Sequence, residues 1–524
     1  MNDSIHNGAQ IPAPPIQQKP EHRQYTAAES IGALCILLLS FLFCRTSPFG
    51  TYPLGNLIIC ALALTLCAVH VSSMKRKSVS PLSRIFFVFS VLFCIAPLFC
   101  TQGILLFFCY AAFAVSALSF LYFSCGCGTG CAKAEYLFYD VKRALLSLPF
   151  SYGANALSAA LYPIREGRLK SAGKRIGYVL LGLAVALIPT VFVAINLSFE
   201  SKFTDLLGNI FSFNDIGGIF GYLLSALFAV PVALYLFSAV WQYAYHGGDE
   251  DERASVREKY DQSKNSLRKI PALSAVSAVL PILFIYAVFF ISQLEEYTSA
   301  FTGVLPEGFN YAEYARSGFF ELCRVSGLNA LLILCSNVFV RRSGKDVSSS
   351  LRVMNAALCI CSLVLIATAL SKMMLYIDTY GMTRKRVYVS LFMILMAVGF
   401  VFALASQLVR RIRMTWICVI LAVLMLLIPA FLGVDGFIVE YNVDRYIDGT
   451  LESVDYDALA DSYEAAMPAL LKLYESEAAT EDDKQTILLI ARIEKGRGQT
   501  NSSIFRFSIP YLKATSAIEQ ITAE

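Results

Sequence analysis

Apolar stretches of about 20 residues, the length needed to cross a bilayer core, recur along the first 433 residues of this 524-residue chain. They lie near 27–44, 52–73, 85–100, 104–124, 176–197, 219–243, 272–292, 319–340, 353–374, 388–409 and 414–433. Hydrocarbon offers a backbone N–H or C=O no partner, so each run must satisfy its own backbone and be a helix. Composition agrees: 16% of residues are charged, against roughly 25% in a soluble domain. The expectation is an all-α, polytopic transmembrane bundle of about eleven spans, with a small helical C-terminal tail outside the cytoplasm. The run at 85–100 is short for a span.

Basic residues set the orientation. On one side lie Lys19, Arg23, Lys75–Lys77, Arg84, segments 125–175 and 246–271, Arg341, Arg342, Lys345, Arg352, Arg410, Arg411 and Arg413. These sum to 27, against six in the opposite loops: Arg45, Lys202, Arg316, Arg384, Lys385 and Arg386. The N-terminus is therefore expected inside and the C-terminus, after eleven crossings, outside. Residues 1–25 are polar and rich in Pro and Gln. They do not read as a cleavable signal peptide and are expected to form a disordered cytoplasmic tail. Residues 26–433 then form the bundle and 434–524 the tail.

Two inner segments carry their own pattern. Within 134–163, Leu137, Phe138, Val141, Leu145 and Leu148 recur at helical spacing, with Asp140, Lys142 and Arg143 opposite. This predicts helices lying in the membrane surface. The mixed-charge stretch 248–270 predicts a cytoplasmic helix supported by i,i+4 pairs. The tail holds 17 acidic and 8 basic residues. A stripe from Tyr456 to Tyr474 and a Thr480/Asp483 cap predict a small helical pair, with Pro468 kinking or restarting the first helix and Gly496 ending the second.

The chain lacks a phosphate-binding loop, an H-E-x-x-H zinc helix and a G-x-S-x-G elbow. No catalytic residue, cofactor or nucleic-acid partner is expected, and the protein does not read as an enzyme. Cys125, Cys127 and Cys131 in SCGCGTGC offer thiolates, but C-x-C-x-x-x-C is not a standard zinc spacing; a Gly-rich packing turn is the alternative. Cys44 and Cys100 both fall near outer span ends, which leaves one disulfide open. In the eighth span Glu321 and Arg324 are three apart, with Asn329 and Ser336 continuing a polar arc. Charges at that depth are costly and usually turn toward protein, so the pair is expected to face other helices, either pinning the bundle or lining a solute path. The outer basic run Arg384–Arg386 breaks the inside-positive bias. The acidic tail, which leaves the membrane at Asp435 and begins with Glu440, Asp444 and Asp448, is expected to meet it, docking over the bundle together with Glu313, Arg316, Tyr380, Asn442, Arg445 and Tyr446; the alternative is a tail that floats while the basic run meets lipid phosphates.

Three segments carry a family resemblance: LPEGFNYAEYARSGFFELCRVSGLN at 305–329, LYIDTYGMTRKRVYVSLFM at 375–393, and NVDRYIDG at 442–449 with DYDALADSYEAAMPAL at 455–470. Together they resemble a bacterial multi-pass membrane family described as domain of unknown function 4173, and its relative 4153. The resemblance implies a bacterial plasma-membrane protein and no activity. Two functional classes stay open: a non-enzymatic sensor or assembly and regulatory partner of another membrane protein, or a small-solute transporter with a polar site on the eighth span.

Overall fold

The computed structural model of the chain describes residues 27–46, 52–73, 80–100, 102–129, 136–151, 214–246, 250–292, 319–341, 348–409, 412–451, 454, 456, 463–500 and 504–523. Helices α1 (Ala27–Thr46), α2 (Pro53–Ser73), α3 (Pro81–Ile95) and α4 (Gly103–Ser124) come first. Two short pieces follow, α5 (Leu137–Lys142) and α6 (Leu148–Ser151), joined by the π-helical turn Arg143–Ser147. Next are α7 (Asn214–His246), α8 (Glu250–Leu267), α9 (Ala272–Ser292), α10 (Phe319–Phe339), α11 (Ser349–Tyr380), α12 (Arg384–Leu408) and α13 (Met414–Leu432). The tail comprises α14 (Val434–Ile447), α15 (Tyr463–Tyr474), α16 (Glu481–Thr500) and α17 (Ile509–Ala523).

Among the described residues nine helices are long and apolar enough to cross a membrane: α2, α3, α4, α7 and α9 to α13. The apolar part of α1, Ile31–Thr46, is shorter. The expected span at 176–197 lies outside the described residues, as do the N-terminal tail and residues 152–163. The short third run becomes a span because Ser80 caps it, accepting a bond from Ser83 N (3.1 Å) with Pro81 at the first helical position. That start adds a turn at one end, and the 3₁₀ turn Ala96–Leu98 extends the other.

The spans build two apolar cores. One joins α2, α3, α4, α7 and α13 around Leu106, Leu121, Tyr122 and Tyr243. The other joins α9 to α12 around Leu358, Leu365, Ile366 and Met393. α13 packs on both α4 and α12 and so bridges them. Side-chain contacts sort the helix termini into two ends of the bundle. At the tail end meet the finish of α1, α3, α11 and α13 and the start of α2, α4 and α12. At the far end α5 to α8 gather around the finish of α4, and Ile270 before α9 bridges Val340 after α10.

Three expectations change. The tail is four helices, not a pair: α14 follows α13 across a single left-handed residue, Gly433 (φ 58°), and α17 was unseen. Gly496 does not stop α16, and Pro468 sits inside α15. The four close on one core of Val443, Met467, Leu470, Leu473, Ile487, Ala491, Ala517 and Ile521. α17 shows that core mainly alanine, which gives almost no hydropathy signal. Second, Asp140 does not face water with Lys142; it is 1% exposed, for reasons given below. Third, Cys44 and Cys100 are free thiols, with Cys100 buried.

Candidate functional site

Tyr380, Arg384, Arg386, Asn442 and Arg445, five of the residues singled out at the tail end, meet at or beside the turn between α11 and α12. α11 runs past its apolar stretch to Tyr380 and is stopped by Gly381, whose φ of 72° and ψ of −179° only glycine adopts readily. Met382 and the extended Thr383 then lead into α12. Asn442, from α14, reads this turn with both ends of its amide. Its Oδ1 accepts from Met382 N (2.7 Å) and its Nδ2 donates to Met382 O (2.9 Å). A Cβ on Gly381 would stand 2.7 Å from that same Oδ1, so the glycine is needed for space as well as for backbone.

Two arginines complete the joint by donating to carbonyls at the end of α11, where a cation also complements the helix dipole. Arg386 donates to Tyr380 O (3.0 Å) and Gly381 O, and its guanidinium lies 4.0 Å over the Tyr376 ring. Arg445 donates to Ile377 O (3.2 Å) and closes the end of its own helix on Thr450 Oγ1 (3.0 Å) and O (2.9 Å). Arg384 donates from Nε to Asp435 Oδ1 at 2.7 Å, and the carboxylate is buried. Asp435 stands in the first turn of α14, where the helix dipole favours a negative charge. Tyr388 donates to Gln102, the residue before α4, and Phe99 packs on Phe431 at 5.0 Å. Asp444, expected to face the basic turn, pairs instead with Lys472 of α15 at 2.6 Å. Tyr446 points into the tail: its hydroxyl and that of Tyr456 donate to the two oxygens of Asp483 (2.9 and 2.7 Å). Burial acts to raise the Asp483 pKa, but bonds from Thr480, Tyr456 and Tyr446 outweigh it and hold the carboxyl below its usual range. Glu313 and Arg316 lie outside the described residues.

The eighth run keeps only part of its expected site. Glu321 and Arg324 pair with each other at 2.7 Å, but their side chains are 60% and 74% exposed. Among the described residues neither side chain is buried against another helix. An i,i+3 pair in the opening turns of α10 neutralises itself and can remain at the bundle surface. Asn329 does face inward. It accepts from the Tyr286 hydroxyl (2.7 Å) and donates to Ser362 Oγ (2.9 Å), tying α9, α10 and α11 together. About two turns on, Ser336 donates to Asn355 Oδ1 (3.2 Å).

At the far end, the Gly-rich turn after α4 wraps Asp140. Thr129 donates its N–H (3.3 Å) and its hydroxyl (3.0 Å) to that carboxyl, and the Tyr122 hydroxyl adds a bond at 3.4 Å. Burial nevertheless pushes the Asp140 pKa up to about 6. Arg143 donates to Cys127 O (3.3 Å), while Arg253 and Arg257 of α8 donate to Gly126 O and Thr129 O. Cys125 and Cys127 are buried, and Cys127 donates its thiol to Tyr243 O (3.3 Å); Cys131 lies outside the described residues. The turn is thus held through its carbonyls by Arg143 and by α8, an organisation that sequence spacing gave no means to see.

In the tail joint nearly every donor that is named meets a backbone carbonyl or a carboxylate of the same chain, so the arrangement fixes one helical body on another. No curated protein and no solved structure matches the chain. A family profile does, over residues 87–473, a range that takes in the second apolar core, the first apart from α2 and the start of α3, the joint and the start of the tail. The resemblance put family 4173 first and 4153 second; the match is to 4153. The chain is a multi-pass membrane protein belonging to the family described as "Domain of unknown function (DUF4153)".

Proposed function

We propose that this protein is a non-enzymatic membrane sensor or assembly partner, in which the four-helix tail is an extracytoplasmic head that reports to, or is positioned by, the helix bundle. The observation that carries the reading is the Asn442 joint. A head that merely floated on a tether would not spend an amide and two arginines on the backbone of one inter-span turn. The joint acts on the end of α11, whose other polar contacts through Ser362 and Asn355 run into α10. A tilt of the head is thereby transmitted to the α9–α11 seam. The inside-positive bias supports placing the head outside a bacterial plasma membrane, with the N-terminus in the cytoplasm.

The test is direct. A reporter active only outside the cytoplasm should work after residue 524 and be silent after residue 260; the reverse result overturns the orientation. Cysteines paired at 382 and 442 in a cysteine-free background should crosslink on oxidation from the outside. A second membrane protein should copurify with the full chain and be lost when Asn442 and Arg445 are both changed to alanine. Transport is the second reading, favoured by the buried Tyr286–Asn329–Ser362 chain. Uptake of solute by proteoliposomes, abolished by Asn329→Leu but not by the joint substitutions, would replace the first reading with the second.

A further inference from the structure

Between α16 and α17 the head carries an apolar knuckle that the joint does not use. The 3₁₀ turn Ile504–Arg506 leads through Phe507 into α17. Ile504 is 76% exposed, and Phe505, Phe507 and Leu512 are also exposed. Arg506 alone turns back into the head, pairing with Glu464 at 3.0 Å. Ile504, Phe507 and Leu512, with the outer part of Phe505, make an exposed apolar patch on a body with 17 acidic and 8 basic residues in its 435–524 stretch, and such a patch marks an interaction surface for a partner.

The position of the knuckle identifies that partner. The turn packs on the first turn of α2: a Cβ on Gly55 would stand 3.5 Å from Phe505 Cβ. Pro53 begins the α2 span, so the knuckle sits at the level where hydrocarbon gives way to headgroups. The face of α2 it touches is equally informative. Gly55, Ile58, Leu62, Leu66 and Val69 follow one another at intervals of three and four and form one stripe. Ile58, Leu62, Leu66 and Val69 are all exposed large apolar residues on a membrane span, which marks the stripe as the side of α2 that meets lipid. Phe505 stacks at the top of that stripe, so the knuckle overhangs lipid and not the bundle interior.

We infer that Ile504, Phe505, Phe507 and Leu512 form a membrane-interface anchor that seats the head in the headgroup region of the bilayer beside α2. Aromatic and branched apolar residues are the chemistry that this boundary takes up. The anchor needs no anionic lipid, since its one basic residue is already spent on Glu464. The acidic head would in any case avoid a negative surface.

The experiment uses the full chain in nanodiscs of zwitterionic phosphatidylcholine. Trp241 and Trp416, the two tryptophans, are replaced by phenylalanine and Ile504→Trp supplies a single probe; Phe505→Trp in the same background is the second variant if the first does not fold. Emission should be lost when the acyl chains carry bromine near the headgroup, with less loss when bromine is placed deep in the chain. Aqueous iodide should leave emission almost unchanged. Quenching by iodide and not by brominated lipid would put the knuckle in water and overturn the anchor. Protection from both would place it against protein, a second copy or a partner, and would equally overturn it.

Discussion

Gly381→Ala tests whether head and bundle are joined where the structure joins them. Two costs add. The backbone at φ 72°, ψ −179° is open essentially to glycine alone, and an alanine held there costs about 1–3 kcal/mol. The new Cβ also lies 2.7 Å from Asn442 Oδ1, so the amide must withdraw and its two bonds to Met382 are lost, at about 1 kcal/mol each. The expected loss is about 3–5 kcal/mol, a large share of the roughly 5–15 kcal/mol that holds a domain together. Asn442→Ala alone removes the bonds but not the backbone conformation, and should cost about 2 kcal/mol. In the double variant the clash has nothing left to displace, so its cost should fall short of the sum of the singles by about 1–2 kcal/mol. The assay is thermal unfolding of purified protein in detergent, read alongside the 382–442 crosslink. Gly381→Ala with unchanged stability and full crosslinking would refute the argument, and so would strict additivity.

Other expectations follow from single contacts. Asn329→Ala should destabilise by about 1–3 kcal/mol, because it strands the buried Tyr286 hydroxyl; Tyr286→Phe in the same background should recover part of that loss in the same unfolding assay. Asp140 has a folded pKa raised to about 6, so the folded state takes up its proton more readily than the unfolded chain. Its contribution to stability is therefore greatest below the ordinary carboxylate range and declines as pH rises to about 6, by up to about 3 kcal/mol. The Asp140→Asn variant should show a flatter profile from pH 4 to 7, and parallel profiles would dismiss this account. Asp483 has the opposite sign: its pKa is lowered, so what it gives the head is present at neutral pH and is lost on acidification. Loss of helical signal from the head at low pH should be blunted in Asp483→Asn.

Hydropathy made the membrane part of this fold legible because lipid imposes one rule on every span. That rule located ten helices and also the excess charge at Arg384–Arg386. It could not show which acidic group would answer them. Asp435 does so, from the first turn of α14, while Asp444 turns to Lys472 of α15. The Asn442 joint was legible as a set of motif positions and not as a mechanism. Its partner is the backbone of Met382, and a backbone contact leaves no complementary side chain to find. Asp140 misled for a related reason. Spacing set it among polar neighbours, yet the Thr129 N–H and hydroxyl that bury it come from a Gly-rich turn with no periodicity of its own. The pair Glu321 and Arg324 misled in the other direction, since two charges that satisfy each other at i,i+3 need no third helix.

Among the described residues, three regions where the head meets the membrane domain restrict how it can move. Gly433 passes α13 into α14 with no linker, which fixes a pivot. Asn442 and Arg445 hold the far part of α14 to the end of α11, which blocks swinging about that pivot. Phe505 on Gly55 adds a third support beside α2, on the other apolar core. Three points that are not in line define a plane, so a rigid head seated on all of them can move only by releasing one. The one with the least described contact is the knuckle, which meets α2 through Phe505 packed on Gly55. Removal of its apolar side chains by Ile504→Ser with Phe505→Ser should therefore loosen α15 to α17, seen as faster amide exchange in the head, while the 382–442 crosslink persists. Equal loosening of α14 would show that head and joint yield as one unit, and the hinge reading would be wrong.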